Sequence, residues 1–154
     1  MSYWFECKVK YDRNAEDGAM HTVSELYLVD AHSFTDAEAR IVEEVGGFAR
    51  GEFEVTAVRK VKYSDVFFHK ECDRWYKVKT NFITIDEKTA VEKRTASFQL
   101  VQAADFKDAL EKFIACFGGT LADYEIASIT ETMIMDVFGA NIAETEADKA
   151  AKKK

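Results

Sequence analysis

Apolar and polar residues alternate at the start of the chain: Phe5, Cys7, Val9 and Tyr11 are separated by Glu6, Lys8 and Lys10. A period of two marks a strand with one buried face. A polar connection with turn chemistry, Asp12 to Gly18, leads to a second strand over roughly His21 to Asp30. The period then changes. Phe34, Ala37, Ile41, Val42 and Val45 follow the i, i+3, i+7 spacing of a one-sided helix. Ser33 stands where an N-cap side chain accepts a free backbone N–H, and Asp36 puts negative charge near the positive helix end. Gly46-Gly47 closes the helix, and alternation returns from Phe53 to Phe68.

The chain then repeats this order. Tyr76, Val78, Thr80 and Phe82 alternate as a strand, Asp86-Glu87-Lys88-Thr89 reads as a hairpin turn, and a return strand runs through Phe98 and Leu100. Asp105 takes the N-cap position and Asp108 the place of Asp36. Phe106, Ala109, Leu110, Phe113, Ile114 and Phe117 form the helix stripe before Gly118-Gly119, and a last strand runs from Tyr124 to Phe138. Trp4 and Trp75 open the two halves, and both halves close on Asp-Val-Phe, at 65–67 and 136–138. The offset is 71 at the tryptophans, 72 through the helices and glycines, and 71 at the close, so one inserted residue between Gly47 and Phe53 accounts for the change. The paired glycines predict left-handed C-terminal caps. At about 3.3 Å per residue each final strand would span about 45 Å, which predicts a bend or bulge.

The expected fold class is therefore α+β: a tandem duplication of a strand-strand-helix-strand unit, mainly antiparallel, with six strands, two helices and approximate twofold symmetry. Residues 1–68 form the first repeat and 75–138 the second. The polar stretch 69–74 is too short for a flexible linker, so the repeats are expected to pack as one globular domain, on a common sheet or a pair of sheets. Residues 139–154 read as a tail, a frayed helix or disordered.

Composition narrows the class. Hydrophobic residues make up 47% of the 154, with 12 Phe and 6 Tyr, which excludes global disorder. No apolar run approaches the roughly 20 residues that cross a bilayer. Met1 to Glu6 lacks the basic-then-apolar pattern of a signal peptide. Three widely spaced cysteines, Cys7, Cys72 and Cys116, suit a reduced, cytoplasmic setting. A net charge of −7 argues against a generic polyanion binder but leaves room for a basic face.

The one candidate face of that kind lies opposite the core set on the first strand of each half: Trp4, Glu6, Lys8, Lys10, and Trp75, Lys77, Lys79. Arg59, Lys60 and Lys62 lie on the first long strand, and Lys93 and Arg94 on a strand of the second half. Aromatic rings beside positive charge on a sheet can hold single-stranded nucleic acid. The plainer reading is that the lysines solubilise an exposed face and the tryptophans pack between halves; Glu6, Glu54, Glu92, Glu125 and Glu131 on the same strands favour it. His69-x-x-Cys72-Asp73 has metal-ligand residue types, but a structural zinc site wants a second pair and none exists. Cys7 reads as core, Cys116 as helical and Cys72 as exposed, with no paired histidine in sequence. Asp65 and Asp136 stand at equivalent positions and could couple as an acid–base pair, although the repeated Asp-Val-Phe reads more simply as a strand end. No cofactor motif is present.

Four stretches together resemble a known family: Trp4-Phe5-Glu6-Cys7-Lys8-Val9, Ser33-Phe34-Thr35-Asp36-Ala37-Glu38-Ala39-Arg40, Gly51-Glu52-Phe53-Glu54-Val55 and Trp75-Tyr76-Lys77-Val78-Lys79. The resemblance is to a family of small proteins of Bacteroidetes-type bacteria and their phages, a domain of unknown function, and covers most of the chain except the tail. It implies a cytoplasmic, mobile-element-linked protein and brings no catalytic residue. The residues themselves point to a non-enzymatic binding or adaptor protein, acting through protein–protein contacts or self-association. The alternatives are single-stranded nucleic-acid binding through Trp4, Lys8, Lys10, Arg59, Lys62, Trp75, Lys77 and Lys79, and a small-molecule binder or enzyme at a groove between the repeats.

Overall fold

The computed structural model describes residues 2–14, 16–47, 51–119 and 123–139. The tail expected over 139–154 lies, beyond Gly139, outside the described residues. The order of elements is β1 (Tyr3–Asn14), β2 (Met20–Ala31), α1 (Phe34–Gly46), β3 (Phe53–Val61), β4 (Asp65–Phe67), β5 (Arg74–Ile85), β6 (Glu92–Ala103), α2 (Phe106–Phe117), β7 (Tyr124–Glu131) and β8 (Ile134–Phe138). The fold is α+β, and the hairpin, helix and strand come twice in the same order.

Six strands were expected and eight are found. Each long final strand is interrupted, at 62–64 in the first half and at 132–133 in the second. The break also changes the destination. One sheet has the order β3-β1-β2-β8 and the other β4-β6-β5-β7. β4 pairs parallel with β6, and β8 pairs parallel with β2; the remaining pairings are antiparallel. The closing Asp-Val-Phe of each repeat thus completes the sheet of the other. Among the described residues, one compact unit holds β1, β2, α1, β3 and β8, and the second holds β4, β5, β6, α2 and β7. The strands that receive β4 and β8 explain the exchange. β2 is buried on consecutive residues from Tyr27 to Ala31, and β6 from Gln99 to Ala103. A strand covered on both faces is best flanked on both edges, as in parallel sheets.

The expected irregularity of the final strands also takes the form of a bulge. Lys8 pairs with Ala57 and Val9 with Val55, which leaves Thr56 as the extra residue of β3. Lys79 pairs with Ser128 and Thr80 with Ile126, which leaves Ala127 as its counterpart in β7.

Both helices start as the sequence predicts. Asp36 N–H donates to Ser33 Oγ (3.1 Å), and Asp108 N–H donates to Asp105 Oδ1 (2.8 Å). Asp36 and Asp108 in turn accept the N–H of His32 (3.0 Å) and Ala104 (2.9 Å), which holds the incoming strand against the first helical turn. Ala37, Ile41 and Val45 bury against Phe5, Cys7, Val9, Tyr27 and Val29 in the first unit. Ala109, Phe113 and Phe117 bury against Tyr76, Val78 and Val101 in the second. Phe34 and Phe106, read as core, keep 54% and 56% of their surface exposed. The helix ends correct one expectation. Gly47 (φ −73°) and Gly118 (φ −64°) are right-handed. The glycine at 118 answers a steric need instead: its N–H donates to the Ile114 carbonyl at 2.7 Å, and a Cβ there would come within 2.6 Å of the same oxygen.

Candidate functional site

The eight residues of the candidate basic face divide between the units, with Trp4, Lys8, Lys10, Arg59 and Lys62 in the first and Trp75, Lys77 and Lys79 in the second. In the first sheet β1 sits between β2 and β3, and its period-two pattern sends Phe5, Cys7 and Val9 towards α1. Trp4, Glu6, Lys8 and Lys10 therefore share the opposite face. The register sets Trp4 beside Asp30 and Val61, Glu6 beside Leu28 and Arg59, and Lys8 beside Leu26 and Ala57.

That face carries a groove of about 550 Å³. Its polar lining is Glu6, Lys8, Ser24, Glu25 and Arg59; its apolar lining is Leu26, Ala57, Met133 and Met135. Arg59 reaches across the strands to ion-pair with Glu6, whose side chain is 10% exposed against 75% for Arg59. Glu25 accepts a hydrogen bond from the Tyr11 hydroxyl, and that bond raises the Tyr11 pKa. Lys8 is exposed. Met133 is 82% and Met135 53% exposed. In sequence they are two uncharged residues inside the last strand, with no motif to mark them.

Each remaining candidate has its own surroundings within its unit. Lys10 lines a separate, polar hollow of about 350 Å³ together with Asp12, Glu52 and Glu54. Lys62 is exposed just past β3. Lys60 Nζ lies 3.7 Å from the centre of the Tyr3 ring. Lys77 Nζ lies 4.7 Å from the centre of the Phe98 ring, and Lys79 is half-buried. Trp75, which the nucleic-acid alternative needs accessible, is 1% exposed and meets Phe68 edge-on at 5.3 Å. Its indole is out of reach of a stacking base.

The second unit holds a set of thiols that linear spacing concealed. Cys72, expected to be exposed, is 8% exposed. Its Sγ accepts from Lys112 Nζ (3.4 Å) and donates to Asp108 Oδ2 (3.7 Å), and Lys112 Nζ also donates to Asp108 (2.7 Å). Burial raises the Cys72 thiol and Lys112 opposes it. One turn along α2, Cys116 Sγ lies 3.7 Å from His69 Nε2. Asp108, Lys112 and Cys116 follow i, i+4, i+8 spacing along the helix, so a set of three, Cys72 with Asp108 and Lys112, and a separate pair, His69 with Cys116, form at the 69–72 turn. Asp73 is exposed, and no group of three metal-ligating side chains converges among the described residues. Cys7 is fully buried, and burial pushes its thiol up to about 12. Asp65 stands beside Gln99 in the second sheet and Asp136 beside Tyr27 in the first. No helix among the described residues is long and apolar enough to cross a membrane.

No curated protein and no solved structure matches the chain. Residues 3–140, which take in both sheets and both helices, match the family described as a domain of unknown function, DUF4494. The chain belongs to the DUF4494 family.

Proposed function

We propose that the chain is a non-enzymatic binding protein, and that the groove of the first sheet takes part of a protein partner. The observation that carries this reading is the pair of exposed methionines, Met133 and Met135, beside Leu26 and Ala57 in a groove of about 550 Å³. Exposed apolar side chains gathered in a concavity lose unfavourable hydration when a partner covers them, and thioethers adapt to varied shapes. Charged groups at the rim, among them the Glu6–Arg59 pair, set orientation. Three cysteines outside any disulfide fit a reduced, cytoplasmic setting, and the resemblance to proteins of Bacteroidetes-type bacteria and phages suggests a partner from that source. The test compares capture of partners by the wild type and by the double variant Met133→Glu, Met135→Glu at equal thermal stability. A partner retained by the wild type and lost by the variant supports the reading, and a partner held equally by both overturns it.

A further inference from the structure

β8 is shorter than the strand it flanks. β2 runs from Met20 to Ala31, but β8 covers it only from Leu26 to Val29. On that side, residues 20–25 pair with no strand among the described residues. Half of the N–H and C=O groups in such a stretch point away from β1. Its register with β1 runs from Tyr3↔Ala31 to Asn14↔Met20 without a shift. The outer strands β3 and β7 each carry a bulge, and β8 shifts register against β2 between Leu26 and Tyr27, just past the uncovered stretch. Bulges and charged side chains are the usual means by which a sheet resists further pairing at an edge. Residues 20–25, Met-His-Thr-Val-Ser-Glu, carry a single formal charge, on Glu25. The equivalent stretch of β6 begins Glu92-Lys93-Arg94, with Arg94 ion-paired to Glu92 (3.3 Å) and Glu125 (2.9 Å). The uncovered part of β2 leads directly into the groove, since Ser24, Glu25 and Leu26 line it with Met133 and Met135.

We infer that residues 20–25 of β2 are a docking edge for an extended peptide segment of a protein partner. The segment adds to the first sheet as a further strand in line with β8 and places one apolar side chain in the groove. Backbone hydrogen bonds then supply affinity and the groove supplies selectivity, which is the division of labour in strand addition. This inference rests on the reading of the groove as a partner-binding surface and names the form the partner takes there.

The probe is a heptapeptide selected from a random displayed library on the full chain and then synthesised. Its affinity is measured for the wild type, for Met135→Glu, and for Ala57→Arg as a second way to fill the groove. The same peptide is also made with N-methyl groups on alternate backbone nitrogens, in both registers. Amide hydrogen exchange is followed across β2. Strand addition predicts slowed exchange at residues 20–25 and a loss of about tenfold or more on N-methylation in one register only, equivalent to one or two backbone hydrogen bonds. Both groove variants weaken binding. A peptide that needs the groove but tolerates both N-methylations and leaves exchange at 20–25 unchanged overturns strand addition while the groove reading stands. Binding indifferent to both groove variants, or a library without binders, overturns the two together.

Discussion

The two sheets follow one plan and differ most where equivalent positions hold different chemistry. In the first, Val9 and Tyr27 complete an apolar layer beneath α1. In the second, the same places hold Thr80 and Gln99, both fully buried. Thr80 Oγ1 donates to Gln99 Oε1 (3.0 Å), and Gln99 Nε2 donates to Ser64 Oγ (2.8 Å) and Ser97 Oγ (3.0 Å). On the far face, the first sheet has Glu6 and Leu26 lining a groove, whereas the second has Lys77 lying over Phe98. The duplication preserved the frame, and the substitutions gave one unit a groove and the other a hydrogen-bonded interior.

The largest effect expected concerns the helices. Phe113 is fully buried, stacked on Phe117 at 4.9 Å and edge-on to Phe67 at 6.2 Å, where α1 has Ile41. Phe113→Ala should cost about 3–5 kcal/mol and Ile41→Ala about 2–5 kcal/mol in denaturant unfolding. Equal costs would mean that the aromatic cluster adds nothing beyond its volume. Next comes the buried network. Gln99→Ala should cost about 1–3 kcal/mol by stranding Thr80 and Ser64. The double variant Thr80→Val, Gln99→Leu, which moves the second unit towards the chemistry of the first, should recover most of that loss. A cycle with no coupling would show that the four groups do not act as a set.

A smaller gain is expected at the second hairpin. Ala90 has φ +57°, whereas the first hairpin uses Gly18 at φ +82°. Ala90→Gly should stabilise by about 0.5–1 kcal/mol, read as a raised midpoint in urea. The smallest effect is a pH dependence. Asp108 is lowered, chiefly by the hydrogen bond from Lys112, and Lys112 is raised by the same bond. A lowered carboxyl contributes stability above its unfolded pKa and loses it as the pH falls through the folded value; the raised lysine loses its share only as the pH rises through its own folded value. Asp108→Asn should therefore cost under about 1 kcal/mol near neutrality, and the difference from wild type should vanish in acid. A difference that persists at pH 2 would assign the effect to helix capping alone.

The elements were legible where the signal is local. Ser33 and Asp105 marked the helix starts, and the apolar stripes picked out Ala37, Ile41, Ala109 and Phe113. The alternation of β1 and β5 separated their two faces. What stayed hidden depended on distant partners. Alternation runs through the breaks after Val61 and Glu131 with no glycine or proline to mark them, so the exchange of β4 and β8 left no local trace. Trp75 was placed on the correct face, but burial there depends on what covers it. Cys116 meets His69 across 47 positions, a separation that linear spacing does not report. For the same reason the groove is half invisible: Lys8 and Arg59 stood out as charges on strands, while Met133 and Met135 carry no charge or motif that singles them out.

The exchanged strands also set a timetable for synthesis. β1, β2, α1 and β3 leave the ribosome early, but β8 lies at the far end of the second repeat. At about 5–20 residues per second, the 72 residues from Lys62 to Met133 add roughly 4–14 seconds before β8 begins to emerge. Throughout that interval the β2 edge at Tyr27 to Val29 is bare, and any extended chain nearby competes for it. The second repeat is covalently attached to that edge, and its high effective concentration there opposes pairing between molecules.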